Sequence, residues 1–313
     1  MVTIIQDLSS LLSIDAERLR KYIATCPHRY KVYGIPKRNG SGIRTIAQPA
    51  KELKTLQKLV YEKYLESLPV HEACTAYRKN ISIKDNALAH VKNNYLLKMD
   101  FLNYFPSITP KDLIKHIEKH LNWNEWEEDK FVIERLFFYV RNRGEGLRLS
   151  IGAPTSPFLS NTILYEFDSK ITELCNLQNI TYTRYADDIA FSTNKKDILF
   201  DFAGVVADIL SQCEYPSISI NPDKTVFLSR KGNMHITGLV LSNDRKVSIG
   251  RSKKRYIKSL VYRFLNNNLT EDEKLYLSGY LSFCVSVEPD FIEKLKSKYG
   301  ANTINELMGR QSG

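Results

Sequence analysis

Tyr182-Thr183-Arg184-Tyr185-Ala186-Asp187-Asp188-Ile189-Ala190-Phe191 sets two adjacent acids inside a β-rich run that extends from Ile180 to Thr193. Apolar residues on both sides of the acids give the segment its strand character. Adjacent carboxylates repel, and like charges held close are destabilising without a cation. Alone, the pair reads as a solvated turn, since Asp is a common turn residue. The other reading is chemical. Nucleotidyl transfer needs two or three carboxylates converging on divalent ions roughly 3.5–4 Å apart. Mg²⁺ takes few protein ligands and relies on substrate phosphates, so a few aspartates suffice. Which reading holds depends on the rest of the chain.

Working outward, Tyr95 to Asp100 is a short apolar run ending in a carboxylate, a second strand of the same type. Lys51 to Leu68 has helical spacing, with Leu53, Leu56, Leu59, Val60 and Tyr64 on one face. Before it, Tyr30 to Pro49 reads as two short strands around Lys37-Arg38-Asn39-Gly40-Ser41-Gly42, a basic, glycine-containing turn. Leu8, Leu11, Leu12, Leu19, Tyr22 and Ile23 make the first 30 residues helical. Lys111 to Val140 is also helical and holds both tryptophans, and Ile236 to Leu241 is read as a strand. Arg251 to Arg263 carries six Lys or Arg and no acid, opposite an apolar stripe of Ile257, Leu260, Val261 and Phe264. Thr270-Glu271-Asp272-Glu273 has the form of a capping box opening a helix toward Val287. A boundary is expected near residue 245, between a mixed α/β core and a small helical C-terminal lobe.

Composition narrows the partner. Lys and Arg outnumber Asp and Glu by 45 to 35, a net charge of +10 that suits a polyanion, with nucleic acid the leading candidate. The 18 tyrosines would suit base stacking, although most aromatics fill cores. No apolar run approaches the roughly 20 residues of a membrane span, so no membrane partner is expected. The N-terminus does not read as a signal peptide. Five scattered cysteines without a C-x-x-C pair fit a reducing, cytoplasmic setting and give no zinc site.

Tyr185-Ala186-Asp187-Asp188 resembles the Y-x-D-D catalytic hairpin of reverse transcriptases. Leu97-Lys98-Met99-Asp100-Phe101-Leu102-Asn103-Tyr104-Phe105-Pro106-Ser107-Ile108 is similar to their first catalytic strand. Between them, Gly152-Ala153-Pro154-Thr155-Ser156-Pro157 resembles the G-x-P-x-S-P segment that supports template and nucleotide. The three blocks follow the family's order. Asn86-Ala87-Leu88-Ala89-His90 and Ile236-Thr237-Gly238-Leu239-Val240 resemble the N-A-x-x-H and V-T-G-L-V elements of bacterial retron reverse transcriptases, and the likeness covers roughly residues 30–300.

The resemblance implies an α+β right-hand polymerase fold with an antiparallel palm sheet. Residues 1–95 would form an N-terminal helix and fingers. Residues 96–245 would be the palm, with fingers helices inserted at about 111–148, and 246–313 a helical thumb. Asp100 and Asp187, with the Phe101 carbonyl, would bind two Mg²⁺ ions, and Asp188 would assist beside them. Phe105 stands at the steric gate that meets a 2′-OH, the feature separating rNTP from dNTP. Lys37 and Arg44 would hold the triphosphate, although Lys31 or Arg38 could take the lysine's place. Gly152 falls in the nucleotide-supporting segment, and Lys224 near the departing pyrophosphate. Asn86 and His90 are given a structural or RNA-positioning role. Arg251, Lys253, Lys254, Arg255 and Lys258 would track an RNA backbone.

The implied activity is copying a cognate structured noncoding RNA of msr–msd type into msDNA from dNTPs, primed at a guanosine 2′-OH. The implied setting is antiphage defence with a separate effector protein. Another compact bacterial reverse transcriptase, of diversity-generating or group II intron type, and a non-catalytic RNA binder with the polymerase fold are the alternatives. One departure stands out: many relatives carry Gln before the Gly of the middle block, and this chain has Ile151. Ile cannot make that amide's hydrogen bonds, which bears on substrate contacts and fidelity.

Overall fold

The computed structural model describes residues 2–37, 40, 42–121, 123, 127–142 and 144–309. Arg38, Asn39 and Ser41 of the basic turn, and Trp126, lie outside the described residues.

The N-terminal third joins two helices, a long hairpin and two more helices. Helix α1 (Ile4–Leu12) starts on a capping box between Thr3 and Gln6, and ends where Ser13 turns left-handed at φ 53°. Helix α2 (Ala16–Ala24) starts on the Asp15 carboxylate. Strands β1 (Tyr30–Pro36) and β2 (Ile43–Pro49) pair antiparallel along their whole length. Helix α3 (Lys51–Val60) follows directly and runs into a wider helical turn over Tyr61–Leu65. Helix α4 (Ile83–His90) opens on a second capping box, Ser82 with Asp85.

Strand β3 (Tyr95–Asp100) then enters the interior. A short helix α5 (Tyr104–Ser107) precedes α6 (Pro110–His120) and α7 (Glu127–Phe137), so the expected helical stretch is two helices rather than one. Helix α7 packs back onto the N-terminal third, against α1, α2 and α3, while α6 packs on α7 and α8. Ile4 N–H donates to the Asp129 carboxylate at 2.7 Å, and Gln57 Nε2 to the Leu136 carbonyl at 2.6 Å. Two-residue strands β4 (Phe138–Tyr139) and β5 (Arg148–Leu149) return the chain to α8 (Ser156–Ile163) and α9 (Tyr165–Gln178).

Strands β6 (Thr181–Tyr185) and β7 (Asp188–Thr193), helix α10 (Ile198–Ser211) and strand β8 (Val226–Ser229) complete a four-stranded sheet. Its order is β6-β7-β3-β8 and every neighbour is antiparallel. The expected α+β class with an antiparallel sheet is therefore what forms, and α9 and α10 pack against that sheet. Strands β3 and β7 are buried on both faces along most of their length, which is why they read as apolar runs rather than alternating ones.

A smaller sheet, β11-β10-β9, follows: β9 (His235–Ile236), β10 (Leu239–Leu241) and β11 (Val247–Ser248). The single strand expected over Ile236–Leu241 is instead a hairpin. Thr237 and Gly238 both have positive φ, 45° and 82°, as a two-residue turn of that hand requires. Helices α11 (Arg251–Leu265), α12 (Glu271–Val287), α13 (Pro289–Tyr299) and α14 (Ala301–Leu307) finish the chain. The Thr270–Glu273 capping box opens α12 as its sequence indicates.

Two apolar cores result. The first gathers residues from Ile4 to Ile218, and the second joins Met234, Ile236, Leu239, Leu241, Val247 and Ile249 to α11–α14. The boundary expected at 245 falls between the paired strands β10 and β11. The small sheet buries its apolar face against the C-terminal helices, and Ala87, Val91, Leu96 and Ala190 from earlier in the chain join the same core.

Candidate active site

The β6–β7 hairpin closes with Tyr185 opposite Asp188, leaving Ala186 and Asp187 as the turn. Ala186 sits left-handed at φ 57°, an uncommon region for a residue with a Cβ. Phe101 N–H donates to the Asp187 carbonyl at 3.1 Å, fastening the turn to the end of β3. Along β3 the register brings Asp100 opposite Asp188. Asp100 is clamped as well, its carbonyl accepting from Asn221 N–H at 2.8 Å while Leu102 N–H donates to Ser219. The three acids singled out in the sequence thus meet at one end of the sheet.

Their electrostatics show the crowding. Burial, then the Asp100 charge, raises Asp187 above the usual carboxylate range, against the pull of Lys224 and Arg44. Asp188 keeps access to water, but the protein around it strips part of its hydration. With the charges of Asp187 and Asp100 this pushes it up to about 6. Lys224 Nζ donates to Asp100 Oδ2 at 2.8 Å, so the lysine expected near pyrophosphate does reach the acids. Lys98, two positions before Asp100 on the same strand face, lowers Asp188 and joins the site although its residue type gave no signal.

Arg44 lies on exposed β2, near enough to lower Asp187. Lys37 closes the same hairpin, its N–H donating to the Gly42 carbonyl at 3.0 Å, and its side chain faces solvent. Gly152, at φ 124°, brings the middle block against β2: a Cβ there would come within 3.1 Å of the Ala47 carbonyl oxygen and of Ile46. Beside it, Ala47 N–H donates to the Ile151 carbonyl at 2.8 Å. Ile151 therefore holds this junction through its backbone. Phe105 is half-buried on α5, its ring edge-on to Tyr104 at 5.3 Å.

Tyr77 is a residue the sequence did not reveal. It is 55% exposed and left-handed at φ 57°, a strained backbone for an aromatic residue. Burial of its hydroxyl and the charge of Asp187 raise its pKa, with Arg44 opposing. Its hydroxyl thus lies within reach of the charges of both Asp187 and Arg44, and only its unfavourable φ, invisible in sequence, marks it.

Asn86 and His90 are buried, on the structural side of the role expected for them. His90 is hydrogen-bonded through Nδ1 to Ser192 Oγ and through Nε2 to Thr183 Oγ1, both at 2.7 Å, and Thr183 Oγ1 donates to Asn86 Oδ1 at 2.6 Å. Asn86 Nδ2 reaches Thr237 Oγ1 at 3.4 Å, so the two retron-like elements meet and clamp the back of the catalytic hairpin. On α11, Arg251, Lys253, Arg255 and Lys258 are exposed, whereas Lys254 is half-buried and ion-paired with Glu288.

With this geometry in place, comparison with known proteins is decisive. The family model described as "Reverse transcriptase (RNA-dependent DNA polymerase)" matches residues 35–241. The chain belongs to the reverse transcriptase family. It is an RNA-directed DNA polymerase of retron type. It is 39% identical over 286 residues to the Retron Ec83 reverse transcriptase of Escherichia coli, covering 91% of each chain. With the Retron Ec86 reverse transcriptase of the same organism the identity is 30%, over 96% of this chain and 92% of that one. Among solved structures, apo telomerase from Candida tropicalis matches at a TM-score of 0.50 and 17% identity, covering 89% of this reverse transcriptase and 58% of that chain, a likeness of fold alone. No helix among the described residues is long and apolar enough to cross a membrane.

Proposed function

We propose that this reverse transcriptase copies a cognate structured noncoding RNA of msr–msd type, primed at a guanosine 2′-OH of that RNA, to give branched msDNA. Its setting is antiphage defence with a separate effector protein. The observation that carries the reading is the likeness to retron enzymes along nearly the whole chain, 91% of it at 39% identity. The direct union of Asn86 with Thr237, which joins the two retron-like elements in space, supports it.

The site residues divide the work. Asp100, Asp187 and the Phe101 carbonyl hold two Mg²⁺ ions, with Asp188 beside them. The crowded acids fit a cation, since burial and mutual repulsion raise two of them, and the Lys224 ammonium already bonds the Asp100 carboxylate. Among the described residues no group of three or more His, Cys, Asp or Glu side chains is placed to hold a metal ion, so the ions would rely on few protein ligands and on substrate phosphates. When bound, the ions lower the pKa of the attacking hydroxyl and stabilise the leaving oxygen. Arg44 and Lys37 neutralise the triphosphate of the dNTP, and Gly152 lets the backbone approach the nucleotide closely. Phe105 excludes the 2′-OH. Lys224 exchanges its bond with Asp100 for the departing pyrophosphate. Arg251, Lys253, Arg255 and Lys258 track the RNA backbone. Fingers, palm and thumb occupy residues 1–95, 96–245 and 246–313.

The test uses purified protein with the RNA transcribed from the DNA flanking its gene. Labelled dNTP should appear in a product whose DNA stays joined to RNA through alkali-stable 2′ linkage at one guanosine. Extension of an added DNA primer with no self-primed product would overturn the retron reading while leaving the polymerase intact.

A further inference from the structure

Arg184 is the largest fully buried side chain, and it lies two residues before the catalytic turn. Its guanidinium engages Asp168 through Nε at 2.9 and 3.1 Å and through Nη2 at 2.5 Å. The remaining donors go elsewhere. Nη1 donates to Tyr104 Oη at 3.2 Å, to Asn161 Oδ1 at 3.3 Å and to the Ala186 carbonyl at 3.3 Å, and Nη2 donates to the Asn161 carbonyl at 3.1 Å. Four segments of the palm therefore meet on one side chain: α9, α8, the start of α5 and the turn itself.

A buried ion pair is a poor device for stability alone, because desolvation cancels much of the attraction and apolar replacements often do as well. The partners of this one are informative. Ala186 is the turn residue before Asp187. Tyr104 precedes Phe105, packs edge-on against its ring, and donates to the Ser160 carbonyl at 2.5 Å. Asn161 in turn donates to the Ala76 carbonyl at 2.8 Å, and Arg184's own backbone pairs with Ala73 and Thr75, the segment that presents Tyr77. A planar fork fixes direction as well as distance, which a lysine's point charge cannot do.

We propose that Arg184 is a positioning residue that sets the Asp187 turn and the Tyr104–Phe105 segment in one frame, so that rate and sugar selectivity depend on the same side chain. The selectivity half rests on Phe105 being the ring that meets the 2′ position. The rate half does not.

Three variants, Arg184→Lys, Tyr104→Phe and Phe105→Ala, separate the possibilities. On poly(rA) primed with oligo(dT), kcat and KM are measured for dTTP and for UTP, together with the melting temperature and the folded fraction. Arg184→Lys keeps the charge but loses the fork, and kcat per folded enzyme should fall about 100-fold with KM little changed. Tyr104→Phe removes one hydroxyl; the preference for dTTP over UTP should fall about fivefold, the worth of one hydrogen bond. If both variants lower the melting temperature yet keep wild-type kcat and preference per folded enzyme, Arg184 is structural only and the proposal fails. If Arg184→Lys does not fold, Tyr104→Phe decides by the same measurements. If Phe105→Ala leaves the preference unchanged, the gate assignment falls, and the kcat of Arg184→Lys and Tyr104→Phe decides the proposal alone.

Discussion

Two antiparallel hairpins face each other across the active site, and they are built in opposite ways. The β6–β7 hairpin has nearly every side chain buried, is fastened to β3 by Phe101 and backed by His90. The β1–β2 hairpin is open along most of its length, with Val32 and Ile43 44% and 71% exposed. Buried, multiply bonded elements open only with much of the fold, whereas exposed hairpins open at low free energy. The acids proposed to share the ions, whose relative placement must be accurate, sit on the first kind. The cations proposed to grip and release a nucleotide sit on the second. The difference teaches that this polymerase places geometry in its core and adaptability on its surface.

Breaking the rigid side has the largest expected effect. Asp187→Asn should cut dNTP incorporation about 10³-fold, the usual cost of removing a charge that stabilises the transition state. Stability should not fall with activity. Asp187 is raised by burial and Asp100, so a neutral amide relieves repulsion and the metal-free protein should melt no lower than wild type. A large drop in melting temperature, seen by calorimetry, would recast Asp187 as a structural turn residue.

Acid should loosen the same hairpin from behind. Burial pushes His90 down to about 3, and His116 likewise, with the charges of His120 and Lys119 helping there. A lowered folded value means each histidine's contribution is complete above its unfolded pKa of about 6.5 and is lost as pH falls below that. Between pH 7.5 and pH 5 the loss is about 2 kcal/mol for each. Asp188 works the other way: its folded pKa is raised, so the metal-free fold gains as pH falls through 6. Urea unfolding of His90→Gln against pH should show about half the wild-type loss if the clamp behaves this way.

On the open hairpin the effect should be smaller and of another kind. Arg44→Ala should raise KM for dNTP about tenfold, with kcat changed less, because it removes a charge-assisted phosphate contact. Steady-state kinetics on a primed RNA template give the ratio. A fall in kcat with unchanged KM would place Arg44 with the acids instead.

This contrast also explains what could be read from the sequence. Asp100, Asp187 and Asp188 were legible because strand alternation and block order leave acids little freedom once β3 and β7 are central. Several helices were legible through the spacing of their apolar residues, and α12 through the cap that Thr270 makes with Glu273. Tertiary hydrogen bonds were not. Asn86 and His90 carry ordinary polar signatures, and only the fold shows them bonded to Thr183, Ser192 and Thr237 inside the protein. Thr237 hid the β9–β10 turn because a β-branched residue argues for a strand, and its positive φ is set by the pairing of Ile236 with Leu239. Lys254 reads like its neighbours on α11, yet Glu288, 34 positions away, takes it.

The smallest expected effect joins the two hairpins through the ion. Binding divalent cations at Asp100 and Asp187, with Asp188 beside them, must displace any proton these acids hold. Asp188 is ionised above about 6 and increasingly protonated below it, so Mg²⁺ should raise the melting temperature more at pH 7.5 than at pH 5.5. The difference should be roughly 1–3 °C, a fraction of a kcal/mol for a chain of this size. Asp188→Asn should lessen it, since the proton held by Asp188 no longer competes, while Arg44→Ala should leave it in place because Arg44 gains its role only with the triphosphate. Adding dNTP together with Mg²⁺ should then raise the melting temperature further in wild type and less in Arg44→Ala. Equal shifts in both would mean that the open hairpin does not close on the nucleotide, and that the palm alone holds it.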